Sequence, residues 1–457
     1  MRGDVRMTFA NLPEIPRRIG CDDAVAAAER LRPGITAARA RPVAYYLNLL
    51  DEVGKLWSNP GYRAPIVPML AASTGHSPEL VEYEIDTLSR LLTRDYLASM
   101  VEQELGSINI LDSWIQAPGL RLRRQSRGLL LHNLAGNALI VAPLSLAYGL
   151  ITKNVNLVKI PTDEPIFAAA FAQSILSVSP ELADELAVLQ WSGSDQSVYR
   201  ALFPLLDGVI HWGGEQSQRS IAHLAAEHDV PLLAHGPKFS FTYLDGPLPC
   251  DLADLAEGIA SDLVLWEQKA CSSPRFILVR ADTGYSDAEA IAEALALSLQ
   301  KATVRWPVTP SDVGRGVRVA AHRHQYELQL GLSGQGKVLA SADSQSWTVV
   351  LSKILPDHAA INASTDRFVF VCPVASNEEV LAYLSSFGRH QRRLFQVMAY
   401  EGNDSDFLDT ATQLGVARIS RIGEMSCPAP GASHDGGYNL TALTTLHSCP
   451  DTTTNIK

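Results

Sequence analysis

An alternation of short apolar runs with helix-length segments, starting at residue 129, constrains the fold more than any other feature of the sequence. The runs are continuous, without a polar residue at every second position, which is typical of strands buried on both faces. Strands separated by helices indicate crossover connections and therefore a parallel sheet. The runs are 129–131, 155–160, 186–191, 208–212 and 230–234, and the helical segments between them are Ala138–Leu150, Pro165–Val178, Asp195–Leu206 and Glu215–Glu227. This alternation of five strands with helices predicts a nucleotide-binding type of α/β domain.

A second series of apolar runs after residue 271 predicts another α/β unit. Its strands are expected at 275–280, 346–351, 367–372, 394–399 and 416–419, with helices at 286–301 and 376–387. The segment 311–345 has neither the apolar period of a helix nor that of a strand, although Gly331, Gly334 and Gly336 indicate a loop within it. Near the carboxyl end we expect a strand at 438–447 and then a frayed tail.

The first hundred residues are predicted to be helical. Asp22 and Asp23 can cap a helix over 22–31. Ser77 followed by Pro78 and Glu79 is a start signal for a helix over 77–105.

The acidic composition of the chain argues against nucleic acid as a partner. The 457 residues carry a net charge of −11 and the pI is about 5.6, so no long-range attraction to nucleic acid or to an anionic membrane is expected. One basic cluster comprises Arg121, Arg123, Arg124 and Arg127. We interpret it as the solvated edge of a strand; the alternative is a phosphate contact for a charged carrier or cofactor.

The six cysteines are scattered and include no Cys-x-x-Cys pair, so neither a metal site nor a disulfide framework is expected. No apolar signal segment follows the first residues, and the expectation is a cytoplasmic protein with reduced cysteines. Residues 129–151 are apolar over about the length that spans a membrane. Because His132, Asn133 and Asn137 interrupt them, a buried strand, a turn and a helix are predicted instead of a membrane insertion.

Cys271 is the candidate nucleophile because of its place in the chain. It lies between a predicted helix over 251–265 and the strand at 275–280. A substrate can reach such a junction, and backbone dipoles there favour the thiolate. The alternative is an inert core residue, as most single cysteines are.

Three further positions follow predicted strands. The amide of Asn137 either binds a developing oxyanion or caps the next helix. Lys159 either faces the crevice in which such sheets bind ligands or is a solvated charge. Gly213 and Gly214 either let a pyrophosphate approach the backbone at a helix start or form only a tight turn. No GxGxxG motif follows any strand, so the usual dinucleotide fingerprint is absent.

The order of these residues along the chain resembles the aldehyde dehydrogenase superfamily, and within it the acyl-CoA reductase branch typified by LuxC. The resemblance covers roughly residues 100–440 and is carried by Ala135-Gly136-Asn137, Trp212-Gly213-Gly214, His235-Gly236-Pro237-Lys238, the segment 267–274 and His434-Asp435-Gly436. It implies an α/β fold, aldehyde dehydrogenase-like, with a Rossmann-like cofactor domain, an α/β catalytic domain and a small oligomerisation element.

Domain boundaries follow from that implied fold. Residues 1–110 are expected to be the helical N-terminal part of the cofactor domain and 111–256 the nucleotide-binding domain, with oligomerisation strands near 119–129. Residues 257–435 are expected to form the catalytic domain, and 436–457 a C-terminal strand and tail. Edge strands near 119–129 and 438–447 that pair across subunits would give a homo-oligomer, a dimer or a tetramer.

The resemblance also implies roles for individual residues. Cys271 matches the catalytic thiol, Asn137 the oxyanion-binding asparagine and Lys159 the ribose-binding lysine of the superfamily. The implied cofactor-binding residues are Asn133, Ala135, Gly136, Lys159, Pro161, Gly193, Trp212, Gly213, Gly214 and Glu215.

One departure from the superfamily bears on the reaction. His235 stands 36 positions before the thiol, where aldehyde-oxidising members carry a glutamate base. Without that base, attack of water on an acyl-enzyme is expected to be slow, and His235 becomes the first candidate for a catalytic acid. Glu267 is an alternative base, and no role is evident for His434-Asp435-Gly436.

Together these residues predict NADPH-dependent reduction of an acyl thioester to an aldehyde through an acyl group on Cys271. The acyl donor is expected to be acyl-CoA or an acyl carrier protein. NADPH rather than NADH follows from the resemblance and from the lack of an acidic residue with a clear ribose role. The alternatives are aldehyde oxidation with NAD(P), redox-free thiol acyl transfer or hydrolysis, and a binding protein without turnover.

Overall fold

The computed structural model of the chain describes residues 13–249, 251–280, 285–309, 313–343 and 345–451. The frayed tail expected at the carboxyl end falls on residues 452–457 and lies outside the described residues. The described part contains three β-sheets with helices around them.

Helices make up the amino-terminal part of the chain and connect most of the later strands. The first group is α1 (Cys21–Leu31), α2 (Gly34–Ala40), α3 (Val43–Ser58), α4 (Pro60–Arg63), α5 (Val67–Thr74), α6 (Pro78–Leu91) and α7 (Arg94–Leu105). The others are α8 (Val141–Ile151), α9 (Ile166–Val178), α10 (Gln196–Leu202), α11 (Glu215–Glu227), α12 (Ala253–Val264), α13 (Tyr285–Arg305), α14 (Val313–Ser333), α15 (His358–Ala363), α16 (Asn377–Ser386), α17 (Arg389–Arg392), α18 (Ser405–Gln413) and α19 (Asn439–Ala442).

Strands fall into three groups along the chain. The first two are β1 (Ile115–Ala117) and β2 (Leu120–Ser126). The next five are β3 (Leu129–Asn133), β4 (Val155–Lys159), β5 (Leu186–Leu189), β6 (Gly208–Trp212) and β7 (Leu232–His235). The rest are β8 (Phe239–Leu244), β9 (Pro274–Arg280), β10 (Gly336–Ala340), β11 (Thr348–Ser352), β12 (Phe368–Val374), β13 (Phe395–Glu401), β14 (Arg418–Ser420) and β15 (Thr444–Pro450).

The first large sheet consists of the five strands that the sequence predicts for a nucleotide-binding domain. Their order is β5-β4-β3-β6-β7, and every pairing is parallel. All residues of β3, β4 and β6 are buried, as the continuous apolar runs require. The predicted α/β fold class is therefore confirmed.

The second large sheet has seven strands in the order β10-β11-β12-β9-β8-β13-β14. Its pairings are parallel except that between β10 and β11. The sequence interpretation missed β8, which starts four residues after His235 without a helix-length spacer. Although we expected residues up to 256 in the nucleotide-binding domain, β8 pairs with β9 and β13 of this second sheet.

A small antiparallel sheet, in the order β1-β2-β15, contains the strands expected for oligomerisation. The strand predicted at 438–447 begins later, at Thr444, because the short helix α19 occupies the start of that segment. The basic cluster belongs to this sheet and its border. Arg124 donates to Thr444 Oγ1 at 3.0 Å and Arg127 donates to the carbonyl of Ala442 at 2.7 Å, so both tie β15 and α19 to β2.

Two helical predictions are wrong in detail. The segment 77–105 is two helices, because Thr93 has the extended backbone of a helix start (φ −64°, ψ 144°) and breaks the run between α6 and α7. In the ambiguous segment 311–345, Gly331 lies inside α14, and Gly334 and Gly336 lie where α14 gives way to β10.

The amino-terminal helices and the first large sheet share one hydrophobic core. Trp57 of α3 packs against Phe167 of α9 with ring centroids 5.0 Å apart, and its Nε1 donates to Ser174 Oγ at 3.0 Å. The second sheet has a core on each face: Phe276 belongs to one and its neighbour Ile277 to the other. The helical part is thus packed against the strands that form the ligand crevice.

A buried histidine joins β3, β4 and α8 beneath that crevice. His132 is fully buried, with Nδ1 2.8 Å from Ser145 Oγ and Nε2 2.9 Å from Asn156 Oδ1. Gly149 of α8 leaves the room for this contact, because a Cβ there would meet both Asn156 and His132. Burial lowers the pKa of His132 to about 4, although the hydrogen bond with Asn156 opposes the shift.

We predict that His132 makes the fold sensitive to acid. Its folded pKa, about 4, lies below the unfolded value of 6.5, so the unfolded state binds the extra proton as the pH falls between these values. The free energy of unfolding should therefore decline by roughly 3 kcal/mol over that range from this group alone. Urea unfolding at several pH values should show a shallower decline for His132→Gln. His324→Gln serves as the control because His324 is exposed, and equal slopes for His132→Gln and the wild type would refute the prediction.

Candidate active site

The carboxyl ends of the first sheet's parallel strands border a cavity of about 820 Å³. Lys159 ends β4, Trp212 ends β6 and His235 ends β7, and all three line it. Cys271, in the loop before β9, lines the same cavity. Ligands of open α/β sheets bind at this edge, so the cavity is the candidate active site.

Most of the residues singled out from the sequence come together here. Those that line the cavity are Ala135, Gly136, Asn137, Lys159, Pro161, Gly193, Trp212, Gly213, Gly214, His235 and Cys271. Asn133 and Glu215 do not line it. The Asn133 side chain is buried between Tyr199 and His211, at 3.1 and 2.8 Å, and Glu215 pairs with Arg219 on the surface of α11.

The backbone turns sharply just before Cys271. Trp266, Glu267 and Gln268 have φ angles of 61°, 49° and 57°, all in the left-handed region. Each such residue costs on the order of 1–3 kcal/mol, so the conformation persists only where the surroundings hold it there. The side chain of Gln268 does so: it accepts from the N–H of Phe368 at 2.8 Å and donates to the carbonyls of Phe368 and Pro274 at 2.9 and 2.8 Å.

Glu267 anchors this loop and is not placed to act as a base. Its buried carboxylate pairs with Arg367 at 2.6 Å and with Arg315 at 3.4 Å. Burial raises the pKa of Glu267, but the two guanidinium groups outweigh it and bring the pKa below its usual value. Because Glu267 is fully engaged and is not among the cavity-lining residues, the alternative that it activates water is wrong.

The thiol of Cys271 is less acidic than that of an ordinary cysteine. Burial and the charge of Asp435 raise its pKa to about 11, against a hydrogen bond with the side chain of Gln396 that lowers it. The expectation that its position favours the thiolate is therefore wrong. At neutral pH the thiol keeps its proton, so attack on a substrate requires a group that accepts it.

Asn137 is exposed and directed to the loop that carries the thiol. Its Nδ2 donates to the carbonyl of Lys269 at 3.1 Å, two residues before Cys271. The alternative role of a helix cap is wrong, because α8 begins at Val141 and the capping position is Ile140. The amide is thus beside the loop that carries Cys271.

His235 is fixed on three sides. Its Nδ1 lies 2.9 Å from Asp435 Oδ2, its ring stacks on Trp212 at 4.0 Å, and the ring of His434 lies 4.4 Å away. Ligand atoms of His235, His434 and Asp435 fall within 4.8 Å of one another, a spacing that a metal ion could use. The hydrogen bond between His235 and Asp435 already accounts for two of these groups, and we keep the expectation of no metal.

Residues that the sequence interpretation did not use also border the thiol. Gln396 of β13 donates to Asp435 Oδ1 at 2.6 Å, and Arg418 of β14 lines the cavity while donating to the carbonyl of Met425. The signal for Asp435 was present as an Asp-Gly pair, which is typical of a tight turn. No sequence signal marks Gln396 or Arg418, because both come from strands more than a hundred residues beyond Cys271.

Lys159 and the glycines form a cradle suited to an anionic or hydroxyl-bearing ligand. Lys159 is only 6 % exposed, which excludes the alternative of a solvated charge. Burial lowers the pKa of Lys159, and its ammonium has no hydrogen-bond or ion-pair partner among the described residues. A Cβ on Gly193 would lie 3.9 Å from its Nζ, while a Cβ on Gly214, at the start of α11, would meet nothing within 4 Å. Both features leave room for a ligand at a helix start.

The other side of the cavity is mostly apolar. It is lined by Leu91, Tyr96, Leu97, Met100, Leu139, Leu144, Ala147, Tyr148, Met425, Pro428 and Ala432. Glu104 is a polar exception: its carboxylate accepts from the N–H of Leu440 at 2.7 Å, and burial raises its pKa to about 7. Such a lining is able to bury an acyl chain.

Two structural findings bear on the expectations from composition. The stretch 129–151 is the buried strand β3, a turn and the helix α8, as predicted. Among the described residues, no helix combines the length and the apolar character needed to cross a bilayer. The cysteines of the described residues form no disulfide bond.

Solved structures with the same fold are aldehyde dehydrogenase-like. The crystal structure of an E. coli NADP-dependent enzyme superposes with a TM-score of 0.72 at 15% identity, covering 94% of this chain and 90% of that one. A Burkholderia cenocepacia protein described as a putative aldehyde dehydrogenase gives a TM-score of 0.71 at 15% identity, covering 94% and 92%. At this identity the likeness shows the fold, and the predicted aldehyde dehydrogenase-like fold is confirmed.

The family is shown by the sequence itself. The family model described as acyl-CoA reductase (LuxC) matches residues 38–446. The long-chain acyl-protein thioester reductase of Vibrio harveyi is 26% identical over 404 residues, covering 87% of this chain and 80% of the relative. That of Photorhabdus luminescens is 28% identical over 409 residues, covering 88% and 81%. The chain belongs to the acyl-CoA reductase (LuxC) family, which confirms the predicted family and its oxidoreductase class.

We predict that Glu267→Gln destabilises the protein strongly. It leaves the buried guanidinium of Arg367 without its charge partner and removes an anchor of the strained loop. Breaking a buried pair in this way costs about 3–5 kcal/mol. Urea unfolding measures the loss, with Glu215→Gln as the matched control because the exposed pair with Arg219 contributes less than about 0.5 kcal/mol. Equal losses for the two variants would contradict the anchoring role.

Proposed function

We propose that this protein reduces an acyl thioester to an aldehyde through a covalent acyl group on Cys271, with NADPH as the reductant. The observation that carries the proposal is a single cavity with three parts in its lining. These are the thiol of Cys271, the cradle around Lys159, and the mostly apolar side described above, here called the apolar wall. A reductase of this kind needs those three parts in contact: a nucleophile, a place for the hydride donor and a place for the acyl chain.

The cofactor side is assigned to NADPH. When bound, the reduced nicotinamide supplies a hydride. The buried ammonium of Lys159 suits a ribose or phosphate oxygen, and Gly213 and Gly214 let a pyrophosphate approach the start of α11. NADPH rather than NADH follows from the family resemblance; Asp163, which lines the cavity near Lys159, is the acidic group that this assignment has to accommodate.

Acylation requires movement of one proton. The S–H bond of Cys271 breaks, its sulfur bonds to the carbonyl carbon, and the tetrahedral oxyanion is held by the Asn137 amide and the N–H of Cys271. His235 receives the proton and delivers it to the departing thiol of CoA or of an acyl carrier protein. The name of the relatives, acyl-protein thioester reductases, supports a protein-bound donor, and the description of the family, acyl-CoA reductase, supports CoA.

Reduction then occurs at the same carbon. Addition of hydride to the thioester on Cys271 gives a hemithioacetal, whose alkoxide is stabilised by the donors that held the first oxyanion. Breakage of its C–S bond releases the aldehyde, and the Cys271 thiolate regains a proton from solvent. The thiol is thus restored for another turnover.

Redox-free acyl transfer is the second candidate, favoured by one observation. Position 235 has no glutamate base, yet a histidine hydrogen-bonded to the Asp435 carboxylate is able to accept a proton. Such a pair could serve water or another thiol as an attacking group. The product distinguishes the two functions.

We also propose that the small sheet joins copies of this chain into a homo-oligomer. The strand β15 pairs only with β2 among the described residues, so its other edge is available for pairing. Leu120 and Leu446 on this sheet are 41% and 49% exposed, which a partner would cover.

The acylation step is tested by mass spectrometry. An acyl-CoA added without cofactor is expected to load its acyl group onto the peptide that contains Cys271, and NADPH is expected to remove it as aldehyde. Cys271→Ala should do neither, whereas Cys449→Ala, remote from the cavity, should do both. An unmodified peptide at every chain length together with an active Cys271→Ala variant would disprove the proposal. Release of free acid instead of aldehyde would point to acyl transfer.

The apolar wall predicts a preference for long acyl chains. Leu144 of α8 lines the cavity and is only partly buried, so Leu144→Trp fills space that the chain would occupy. Losing the burial of two methylenes costs about 1.6 kcal/mol, or at least tenfold in kcat/KM, for a tetradecanoyl thioester. The butyryl thioester should be almost unaffected. Leu297→Trp on the exposed face of α13 is the control, and an equal fall for both substrates would contradict the assignment of the wall.

A further inference from the structure

The motif His434-Asp435-Gly436 forms a tight two-residue turn. The N–H of His434 donates to the carbonyl of Gly437 and the N–H of Gly437 donates back to that of His434, both at 3.0 Å. Asp435 and Gly436, between them, have φ angles of 53° and 82°. Asp and Gly are the residues that tolerate this left-handed pair. The turn therefore fixes the direction of the Asp435 side chain.

Both carboxylate oxygens of Asp435 are engaged. Oδ2 accepts from His235 Nδ1 at 2.9 Å, and Oδ1 accepts from Gln396 Nε2 at 2.6 Å. Burial alone would raise the pKa of Asp435, but the hydrogen bond from His235 and the nearby His434 and Lys238 hold it well below its usual range. Asp435 is thus an anion at neutral pH, fixed in position by two donors.

That anion determines which nitrogen of His235 carries the proton. A neutral imidazole has one N–H and one lone pair, and the partner of one nitrogen sets the state of the other. With Nδ1–H directed at Asp435, the lone pair is on Nε2. This Nε2 is buried and has no hydrogen-bond partner among the described residues, and His235 lines the same cavity as Cys271.

We propose that Asp435 is a positioning residue of the reaction, which holds His235 in the tautomer whose Nε2 accepts the proton of the Cys271 thiol. The proton passes from sulfur to Nε2 as the C–S bond to the substrate forms, and from Nε2 to the departing thiol as the old C–S bond breaks. No oxidant or reductant takes part in this step. The inference rests on the proposed acyl-enzyme and adds the origin of its acid–base chemistry.

A purely electrostatic role for Asp435 has an effect of opposite sign. Its negative charge is one of the groups that raise the pKa of Cys271. If it acted only through that charge, its removal would make the thiol easier to ionise and faster to alkylate. If it acts through His235, its removal takes away the proton acceptor and makes the thiol slower to react.

The test is the rate at which iodoacetamide alkylates Cys271 in Asp435→Asn at neutral pH. Asparagine keeps the shape but cannot hold the N–H of His235 as an anion does. We expect alkylation to slow at least tenfold and acylation by an acyl-CoA to slow by roughly 10²–10⁴. NADPH affinity, measured by fluorescence, should stay within about twofold, which shows that the site is intact. Alkylation that is unchanged or faster would overturn the proposal.

Further variants separate positioning from structural damage. His235→Gln should slow alkylation as much as Asp435→Asn, and the double variant should be no slower than either single variant, since the two residues act as one unit. Asp435→Glu should recover part of the rate. Asp404→Asn, at the cap of α18, controls for the exchange of a carboxylate for an amide. Additive effects in the double variant would also overturn the proposal.

The same data distinguish this inference from the proposed function. If the wild-type Cys271 is never acylated but Asp435→Asn still slows alkylation, the positioning role stands and the proposed function fails. If the wild type is acylated and Asp435→Asn reacts as fast, the function stands and the positioning role fails.

Discussion

The buried contact between Glu267 and Arg367 is the interaction on which the site depends. Glu267 is the middle one of three consecutive residues in left-handed conformation, which together cost several kcal/mol of backbone strain. Arg315 and the side chain of Gln268 also hold this loop in place. The position of the thiol therefore depends on contacts with β12 and the adjacent α14 as much as on the loop itself.

The placement of Cys271 has an electrostatic consequence. A thiol that is packed closely enough to be positioned is also removed from water, and burial disfavours the thiolate. In the proposed reaction the thiol of Cys271 therefore starts in its protonated form and reacts when a neighbour takes the proton. His235 is the proposed acceptor, because it lines the same cavity and its ring contacts Asp435. A resting thiol is also less exposed to oxidation than a permanent thiolate.

The sequence predicted what depends on local pattern and missed what depends on distant pairs. The strands β3 to β7 were predictable because strands buried on both faces have to be continuously apolar, and Cys271 and Asn137 were identified by their place next to such elements. The partners of Glu267 and of His235 were not predictable: Arg367 is 100 residues away and Asp435 is 200 residues away. The strand β8 was missed for a related reason, since its sheet is set by neighbours from later in the chain.

The pair of His235 and Asp435 also bears on why an acyl-enzyme would react with hydride rather than with water. In the proposed acylation step the pair takes up a proton and returns it, so His235 ends that step without the proton of the thiol. Such a base does not by itself distinguish water from other attacking groups. In the proposed reaction the choice would depend on access: a cofactor bound in the cavity that Cys271, Lys159 and Gly214 line would deliver the hydride and displace water from that cavity.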